Sequence, residues 1–173
     1  MEKTENFPTY VFATVNPSRI PKVVEELKHH REIDFIAPVN GRFNLALRLK
    51  PHEYKEVYNE IKKIRAIPDV KTTVTQSTFE GVKHSKKFEN EMPFGISLMN
   101  FEPTEPFEKS LERLEKIPGL VEAFTVPGEF DIVAFWQAKT TEEIMKNSIE
   151  KLSSIEGLYR NETLFGRTPF FKP

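Results

Sequence analysis

The side chains that most often carry out chemistry are few in this sequence and poorly spaced for it. None of the 173 residues is a cysteine, which excludes disulfides, thiolate metal sites and thiol nucleophiles. The four histidines are His29, His30, His52 and His84. His29 and His30 are neighbours on a predicted helix, where side chains about 100° apart do not easily share one ion. The histidines therefore predict no metal site, and their polar surroundings favour solvated side chains over haem ligands.

Carboxylates and sequence motifs give no better candidate for catalysis. Glu25-Glu26 and Glu142-Glu143 lie on predicted helices, where acidic pairs are typical of a solvated face. No Gly-x-Ser-x-Gly elbow, Gly-x-x-x-x-Gly-Lys phosphate loop or His-Glu-x-x-His metal motif occurs. The sequence predicts no catalytic residue, no cofactor and no metal, and hence a protein that is not an enzyme.

The charge is distributed unevenly along the chain. Residues 1–87 contain 16 Lys and Arg against 11 Asp and Glu, a net +5, whereas residues 88–173 contain 9 against 15, a net −6. One interpretation is that the halves attract each other or an anionic partner, and the other is that two related halves diverged in surface composition. The polar N-terminus and the lack of a run of roughly 18 apolar residues predict a cytoplasmic protein without a membrane span.

An internal repeat divides the chain into two copies. The segment 39–45, Val-Asn-Gly-Arg-Phe-Asn-Leu, aligns with 126–132, Val-Pro-Gly-Glu-Phe-Asp-Ile, and the alignment continues to Ile61 and Ile149 after one inserted residue. We place that insertion in the loop between the third strand and the second helix of each copy. Asn40-Gly41 predicts a tight two-residue hairpin turn, because both residues tolerate positive φ.

Each copy shows the element order β-α-β-β-α-β that is typical of ferredoxin-like folds. In the second copy, for example, strands are predicted at 94–101, 120–126, 129–137 and 158–166, with helices at 104–116 and 141–153. We therefore predict an α+β fold of two tandem ferredoxin-like units with antiparallel sheets, in a dimeric α/β-barrel-like arrangement. The units are 1–80 and 93–173, and the polar segment 81–92 is the predicted linker. One face of each sheet lacks helices and needs cover from the other sheet or from another subunit.

The second copy resembles the ligand-binding domain of Lrp/AsnC regulators. The resemblance is carried by residues 114–132, where a helix ends in Pro-Gly and a strand leads to Val-Pro-Gly-Glu-Phe-Asp, and by residues 149–158. It covers most of residues 94–165 and, more weakly, 9–79. The resemblance implies a self-associating module that binds an amino acid or related small molecule and acts through a regulator protein partner. Only about eight residues precede the first strand, too few for a helix-turn-helix, so direct DNA reading is not expected.

The same resemblance implies the ligand-contacting residues. Gly128 and Glu129 would form a turn that brings backbone N–H groups to the ligand, Asp131 would hold an ammonium group, and Asn161 and Thr163 would add hydrogen bonds. The first copy would have weaker equivalents. These are Gly41, Asn44, Thr73 and Thr75. The other interpretation is structural, since a turn glycine and a strand aspartate need no ligand.

Two alternatives belong to other functional classes. Tandem ferredoxin-like chains resemble haem-binding and monooxygenase-like enzymes, and ferredoxin-like sheets also bind RNA through their aromatic faces. The basic first half agrees with RNA binding, but neither copy contains the Lys/Arg-Gly-Phe/Tyr-Gly/Ala-Phe signature. Phe43 is the nearest candidate for a stacking residue and is expected to pack in the core.

Overall fold

The computed structural model describes residues 7–50, 53–84, 88–166 and 170–171. These residues form two compact units, each with its own five-stranded antiparallel sheet. The first unit runs to Ser77 and also contains Phe170 and Phe171, and the second begins at Thr78. No described helix is long and apolar enough to cross a membrane.

The first unit contains two helices and five strands. Its elements are β1 (Thr9–Val15), α1 (Ile20–Leu27), β2 (Ile33–Pro38), β3 (Leu45–Leu49), α2 (Tyr54–Arg65), β4 (Val70–Ser77) and, from the end of the chain, β10 (Phe170–Phe171). The strand order is β10-β2-β3-β1-β4. A short 3₁₀ turn, Pro17–Arg19, precedes α1, and the Asn16 side chain accepts a hydrogen bond from the Ser18 N–H there.

The hydrophobic spacing of the helices explains how this unit packs. Val23 and Leu27, four residues apart on α1, and Ile64 on α2 are buried against the sheet. Alternate residues of the central strands, among them Val11 and Leu47, form the other side of this core. Burial of this shared apolar stripe is what holds the helices on one sheet face.

The second unit repeats the plan with one strand added from its own N-terminal segment. Its elements are β5 (Gly81–Lys83), β6 (Phe94–Phe101), α3 (Phe107–Glu115), β7 (Leu120–Thr125), β8 (Ile132–Gln137), α4 (Thr141–Met145) and β9 (Leu158–Gly166). The strand order is β5-β7-β8-β6-β9. Two further turns follow α4, a π-helical segment Lys146–Lys151, here called the π-turn, and a 3₁₀ turn Leu152–Ser154.

The inserted residue of the second copy is not where the sequence predicted it. Helices α2 and α4 begin at Tyr54 and Thr141, which are 87 positions apart, whereas β4 and β9 begin at Val70 and Leu158, which are 88 apart. The additional residue is therefore inside the helix and not in the loop before it. A π-turn is the usual way for a helix to absorb one extra residue, because its hydrogen bonds span five residues instead of four. The predicted continuous helix over 141–153 is accordingly three short segments.

Two loop predictions also differ from the structure. Asn40-Gly41 is not a two-residue hairpin turn, since β2 ends at Pro38 and β3 begins at Leu45. The loop is longer because Phe43 within it is buried and the Val39 N–H is bonded to the Asn44 carbonyl. Residues 81–83 of the predicted linker form β5, which pairs with β7.

The predicted fold class is confirmed. The chain is an α+β protein with two antiparallel sheets and four α-helices in its described part, arranged as two tandem ferredoxin-like units. Aromatic residues on the central strands, such as Phe12 and Phe135, are fully buried, and Phe43 is also in the core as predicted. These rings do not offer the exposed platform on which a ferredoxin-like RNA binder stacks bases.

Candidate functional site

Asp131 and Asn44 have the same structural role in the two units, because each binds the backbone at the end of an equivalent strand, β1 or β6. The Asp131 carboxylate accepts a hydrogen bond of 2.8 Å from the Phe101 N–H. The Asn44 amide accepts one from the Val15 N–H and donates one to the Val15 carbonyl, both 2.8 Å. In each sheet this contact lies where the strand register shifts, between Thr14 and Val15 or at Phe101. The side chain replaces a ladder hydrogen bond that the bulge removes.

The cleft around Asp131 is acidic. It has a volume of about 610 Å³ and is lined by Gly128, Glu129, Asp131 and a further set of acidic residues. That set is Glu102, Glu105 and Glu108. We call this the acidic cleft. Its carboxylates would repel the carboxylate of an amino acid, so its charge opposes the ligand that the resemblance implied. Gly128 does not need a glycine conformation, since its φ is not positive and a Cβ there would have ordinary room.

Asn161 and Thr163 lie elsewhere, in a chain of hydrogen bonds between the sheet and the π-turn. The Trp136 Nε1–H donates to Ser97 Oγ at 3.0 Å, and Ser97 Oγ shares a hydrogen bond of 2.8 Å with Thr163 Oγ1. The Thr163 hydroxyl donates to Asn161 Oδ1 at 3.2 Å. We call these four side chains the Trp136 network. The structure therefore divides the predicted site residues between two places.

The network ends on the π-turn. Asn161 Nδ2 donates to the Ser148 carbonyl at 2.8 Å, and Ser148 Oγ donates to the Ile144 carbonyl at 2.6 Å. A π-turn leaves a helix carbonyl without its usual partner, and a buried carbonyl without a donor is costly. Asn161 supplies that donor from the neighbouring strand.

The predicted equivalents in the first unit form no such network. Thr75 is paired with Val11 and Thr73 with Ala13, at the positions that Thr163 and Asn161 occupy opposite Ser97 and Met99. Where the second unit has Ser148, the first has Glu60, which is buried and contacts His30 Nδ1 at 2.5 Å. Gly41 is exposed and has a φ of +147°, which favours glycine. The equivalent Gly128 has no positive φ.

A second cleft opens beside the network, and of its lining residues only Asn161 and Thr163 were predicted as site residues. It has a volume of about 390 Å³ and lies between the π-turn and β9, and we call it the β9 cleft. Its polar lining is Tyr159, Arg160, Asn161, Thr163 and Ser153, and its apolar lining is Ile149, Leu158 and Phe165. Tyr159 and Ile149 remain 61% and 43% exposed. The sequence signal for this cleft was the alternation of large side chains along β9, but the same alternation is typical of a strand that packs in a core.

The described residues do not fit a histidine-ligated haem. His30 is committed to Glu60, His29 is exposed, and His84 is in the segment paired with β7 through its N–H to the Val121 carbonyl. None of them lines the acidic cleft or the β9 cleft, and His52 is outside the described residues. Nor do three or more described His, Asp or Glu side chains gather where they could hold a metal ion. We therefore assign no chemistry to haem.

Comparisons of the sequence with known proteins give one partial match. No family model matches the chain. A stretch of 53 residues is 42% identical to an uncharacterised helix-turn-helix-type transcriptional regulator of Pyrococcus furiosus, which covers 31% of this chain. The chain spans about a third of the length of that relative, 35%. The likeness to a regulator is thus local, and it does not extend to the Lrp/AsnC ligand-binding domain as a whole.

Solved structures resemble the whole chain at low sequence identity. The siroheme decarboxylase NirDL, in complex with an iron-uroporphyrin III analogue, has a TM-score of 0.67 at 14% identity, over 96% of this chain and 72% of that one. A mutant chlorite dismutase from Candidatus Nitrospira defluvii has a TM-score of 0.61 at 9% identity, over 98% and 93% of the two chains. The similar structures thus include enzymes. This finding overturns the prediction of a non-catalytic sensing module and favours the enzyme alternative.

Proposed function

We propose that the chain is an enzyme whose substrate is a flat, largely apolar ring bearing carboxylate groups, and that the β9 cleft of the second unit binds this ring. The observation that carries the proposal is the π-turn beside the cleft. Such turns disturb the helix hydrogen bonds and are frequent at functional sites. Here the Asn161 side chain stabilises the turn by donating a hydrogen bond to the Ser148 carbonyl, and the equivalent residue of the first unit is Thr73.

The lining of the cleft matches such a ring. Ile149, Leu158 and Phe165 offer an apolar wall, and an exposed apolar surface of this kind is typical of a ligand site. The side chain of Arg160 alternates to the sheet face opposite Asn161, where its guanidinium lies 5.7 Å from the centre of the Phe130 ring. Because β9 is an edge strand, this guanidinium can pair with a ligand carboxylate that extends past the strand edge. The volume of about 390 Å³ is near the lower end of the range of small-molecule sites, about 300–1,000 Å³, so the cleft would cover one edge of a large ring and leave the rest outside it.

The reaction that we propose for this substrate is decarboxylation by proton transfer. The bond between a carboxylate carbon and its neighbour breaks, carbon dioxide leaves, and the electron pair remains on the neighbouring carbon, which then takes a proton. The Tyr159 hydroxyl is the donor in the cleft that is best placed by its exposure to supply this proton, and water returns one to it. Arg160 would hold a carboxylate that is retained. The similarly folded NirDL is a siroheme decarboxylase, which supports this choice of reaction.

The experiment uses siroheme and iron-uroporphyrin III as probes. Trp136 is the single tryptophan and is fully buried in the network, whose members Asn161 and Thr163 line the cleft, so quenching of its fluorescence reports binding. We expect saturable quenching, and we expect mass spectrometry of the products to show loss of carbon dioxide. Arg160→Gln should weaken binding roughly fivefold to tenfold. Tyr159→Phe should leave binding nearly unchanged and slow turnover by about 10²-fold or more.

Matched controls come from the first unit. Tyr58 is 62% exposed on α2, close to the 61% of Tyr159, so Tyr58→Phe tests the loss of an exposed phenol outside the cleft. Arg31 is exposed as well, and Arg31→Gln matches Arg160→Gln. Both controls should behave as the unaltered protein. The proposal fails if neither probe quenches Trp136, or if the controls lower binding or turnover as much as the cleft variants. The predicted self-association and regulator partner stay predictions.

A further inference from the structure

A third cavity lies in the second unit, on the opposite end of the π-turn from the β9 cleft. It has a volume of about 630 Å³. Leu120, Val121 and Ala138 give it an apolar floor, and Met92 and Pro118 contribute to its walls. The exposed side chains of Glu89, Lys139 and Glu143 lie at its rim. We call it the Asn147 cavity, after the polar residue discussed next.

Asn147 is a mostly buried residue whose side-chain amide makes no hydrogen bond to any other described residue. Its side chain lines the cavity and only 8% of the residue is exposed. Among the residues that the structure describes, it has no side-chain hydrogen bond, and its amide atoms are not sealed from solvent as Asn100 Oδ1 is. Because the amide makes no hydrogen bond to the described residues and opens on the cavity, both its donor and its acceptor are available to a ligand.

The surroundings hold this amide in place and leave its hydrogen-bonding groups unused. Gln137, the other buried amide of the cavity, is fully occupied: it accepts from the Glu89 N–H and donates to the Glu89 and Met92 carbonyls, at 2.9, 2.8 and 3.3 Å. It thereby fixes the segment that forms one wall. A Cβ on Gly119, whose φ is +87°, would lie 3.0 Å from Asn147 Nδ2. The turn at Gly119 therefore approaches the amide closely and restricts where it can move.

We propose that this cavity binds a planar heterocycle whose edge presents a hydrogen-bond donor beside an acceptor, as a purine base does. An asparagine amide offers a complementary acceptor and donor and can form two parallel hydrogen bonds with such an edge. The apolar floor suits the faces of a flat ring. The rim carries one lysine and two glutamates, so it does not select a strongly charged ligand.

The test compares two nucleosides that differ in the paired edge. Adenosine carries an exocyclic amino donor next to a ring acceptor, and purine riboside lacks that amino group. Titration of the whole protein, followed by ligand-observed saturation-transfer NMR and by protein amide shifts around Gly119, should give a dissociation constant for adenosine of roughly 0.1–1 mM. Purine riboside should bind at least about fivefold more weakly, because one hydrogen bond is lost.

Variants then assign the site to Asn147. Asn147→Leu should reduce adenosine affinity about tenfold, and Asn147→Asp, which keeps the shape but loses the donor, should also reduce it. Asn59 is exposed on α2 of the first unit, so Asn59→Leu is the matched control and should not change binding. Asn147→Asp keeps the test valid if Asn147→Leu does not fold.

Three results would overturn the proposal. They are the absence of saturable adenosine binding, equal affinity for the two nucleosides, and unchanged affinity in Asn147→Asp. Trp136 is near both clefts, since it pairs with Leu120 of the cavity floor. The variants therefore separate the two proposals: Arg160→Gln should weaken binding of siroheme and not of adenosine, and Asn147→Asp the reverse. Failure of one proposal is therefore distinguishable from failure of the other.

Discussion

The two units share one plan and differ by one residue inside the second helix. In the first unit α2 is an uninterrupted helix of 12 residues, and it buries Glu60 in contact with His30. In the second unit the corresponding helix stops at Met145 and continues as the π-turn, with Ser148 at the buried position. A single insertion in a repeated fold has thus changed both the helix geometry and the buried polar group.

The strands facing these helices have changed with them. Val11 and Leu49 are part of the apolar core of the first unit, and the residues at the same places in the register of the second are Ser97 and Trp136. Each polar addition finds a partner in the Trp136 network, which satisfies the carbonyl that the π-turn leaves free. This difference between the two units shows that an irregular helix turn is tolerated when a neighbouring strand supplies the missing hydrogen bond.

The largest expected effect comes from removing the centre of the network. Trp136→Ala should lower the free energy of unfolding by about 3–5 kcal/mol, because it leaves a large cavity in the core and deprives Ser97 of a donor. Trp136→Leu, which restores the residue type of the first unit, should lower it less. Urea unfolding followed by circular dichroism measures both values. A loss of less than about 1 kcal/mol for Trp136→Ala would show that the two cores do not differ as described.

An intermediate effect is expected where the network meets the π-turn. Asn161→Leu leaves the Ser148 carbonyl without a donor and should cost about 1–3 kcal/mol of stability. Thr73 has the equivalent place in the first unit and supports no turn, so Thr73→Leu should change stability by no more than about 0.5 kcal/mol. Hydrogen exchange at the amides of residues 146–151 should accelerate only in Asn161→Leu. Equal effects of the two variants would contradict a special role for Asn161.

The smallest effect is expected at the position where the units are most alike. Asp131→Asn gives the second unit the residue of the first, and an amide oxygen can still accept the Phe101 N–H. The free energy of unfolding should therefore change by less than about 1 kcal/mol, whereas Asp131→Ala should cost about 1.5–3 kcal/mol. Chemical denaturation distinguishes the two. If Asp131→Asn is as harmful as Asp131→Ala, the carboxylate has a role that the first unit lacks.

Much of the fold followed from local patterns. Strands 94–101 and 158–166 were predicted with the bounds that the structure has, because their apolar residues alternate or run unbroken between clear turn signals. The repeat at 39–45 and 126–132 predicted that both copies would have one plan. It could not predict that Asn44 and Asp131 bind the backbone of another strand, since that contact spans 29 or 30 residues.

The candidate site was much less accessible to prediction. The predicted residues Asp131 and Asn161 both neighbour Met99 of β6, since the Asp131 N–H donates to the Met99 carbonyl and Asn161 pairs with Met99. They nevertheless line different clefts. Tyr159 and Arg160 carry no motif and are ordinary strand residues by type. They become candidate site residues only in the tertiary structure, where they line a cleft together with Ile149 of the π-turn.

Sequence alone was enough for the class of fold, the two copies and the apolar core, because each of these depends on the spacing of residues near one another in the chain. Only the tertiary structure decided where the inserted residue went. A helix can absorb an extra residue at several points at similar local cost, and the choice depends on which freed carbonyl finds a donor. That donor, Asn161, is 13 residues away on another element, and no local pattern connects it to Ser148.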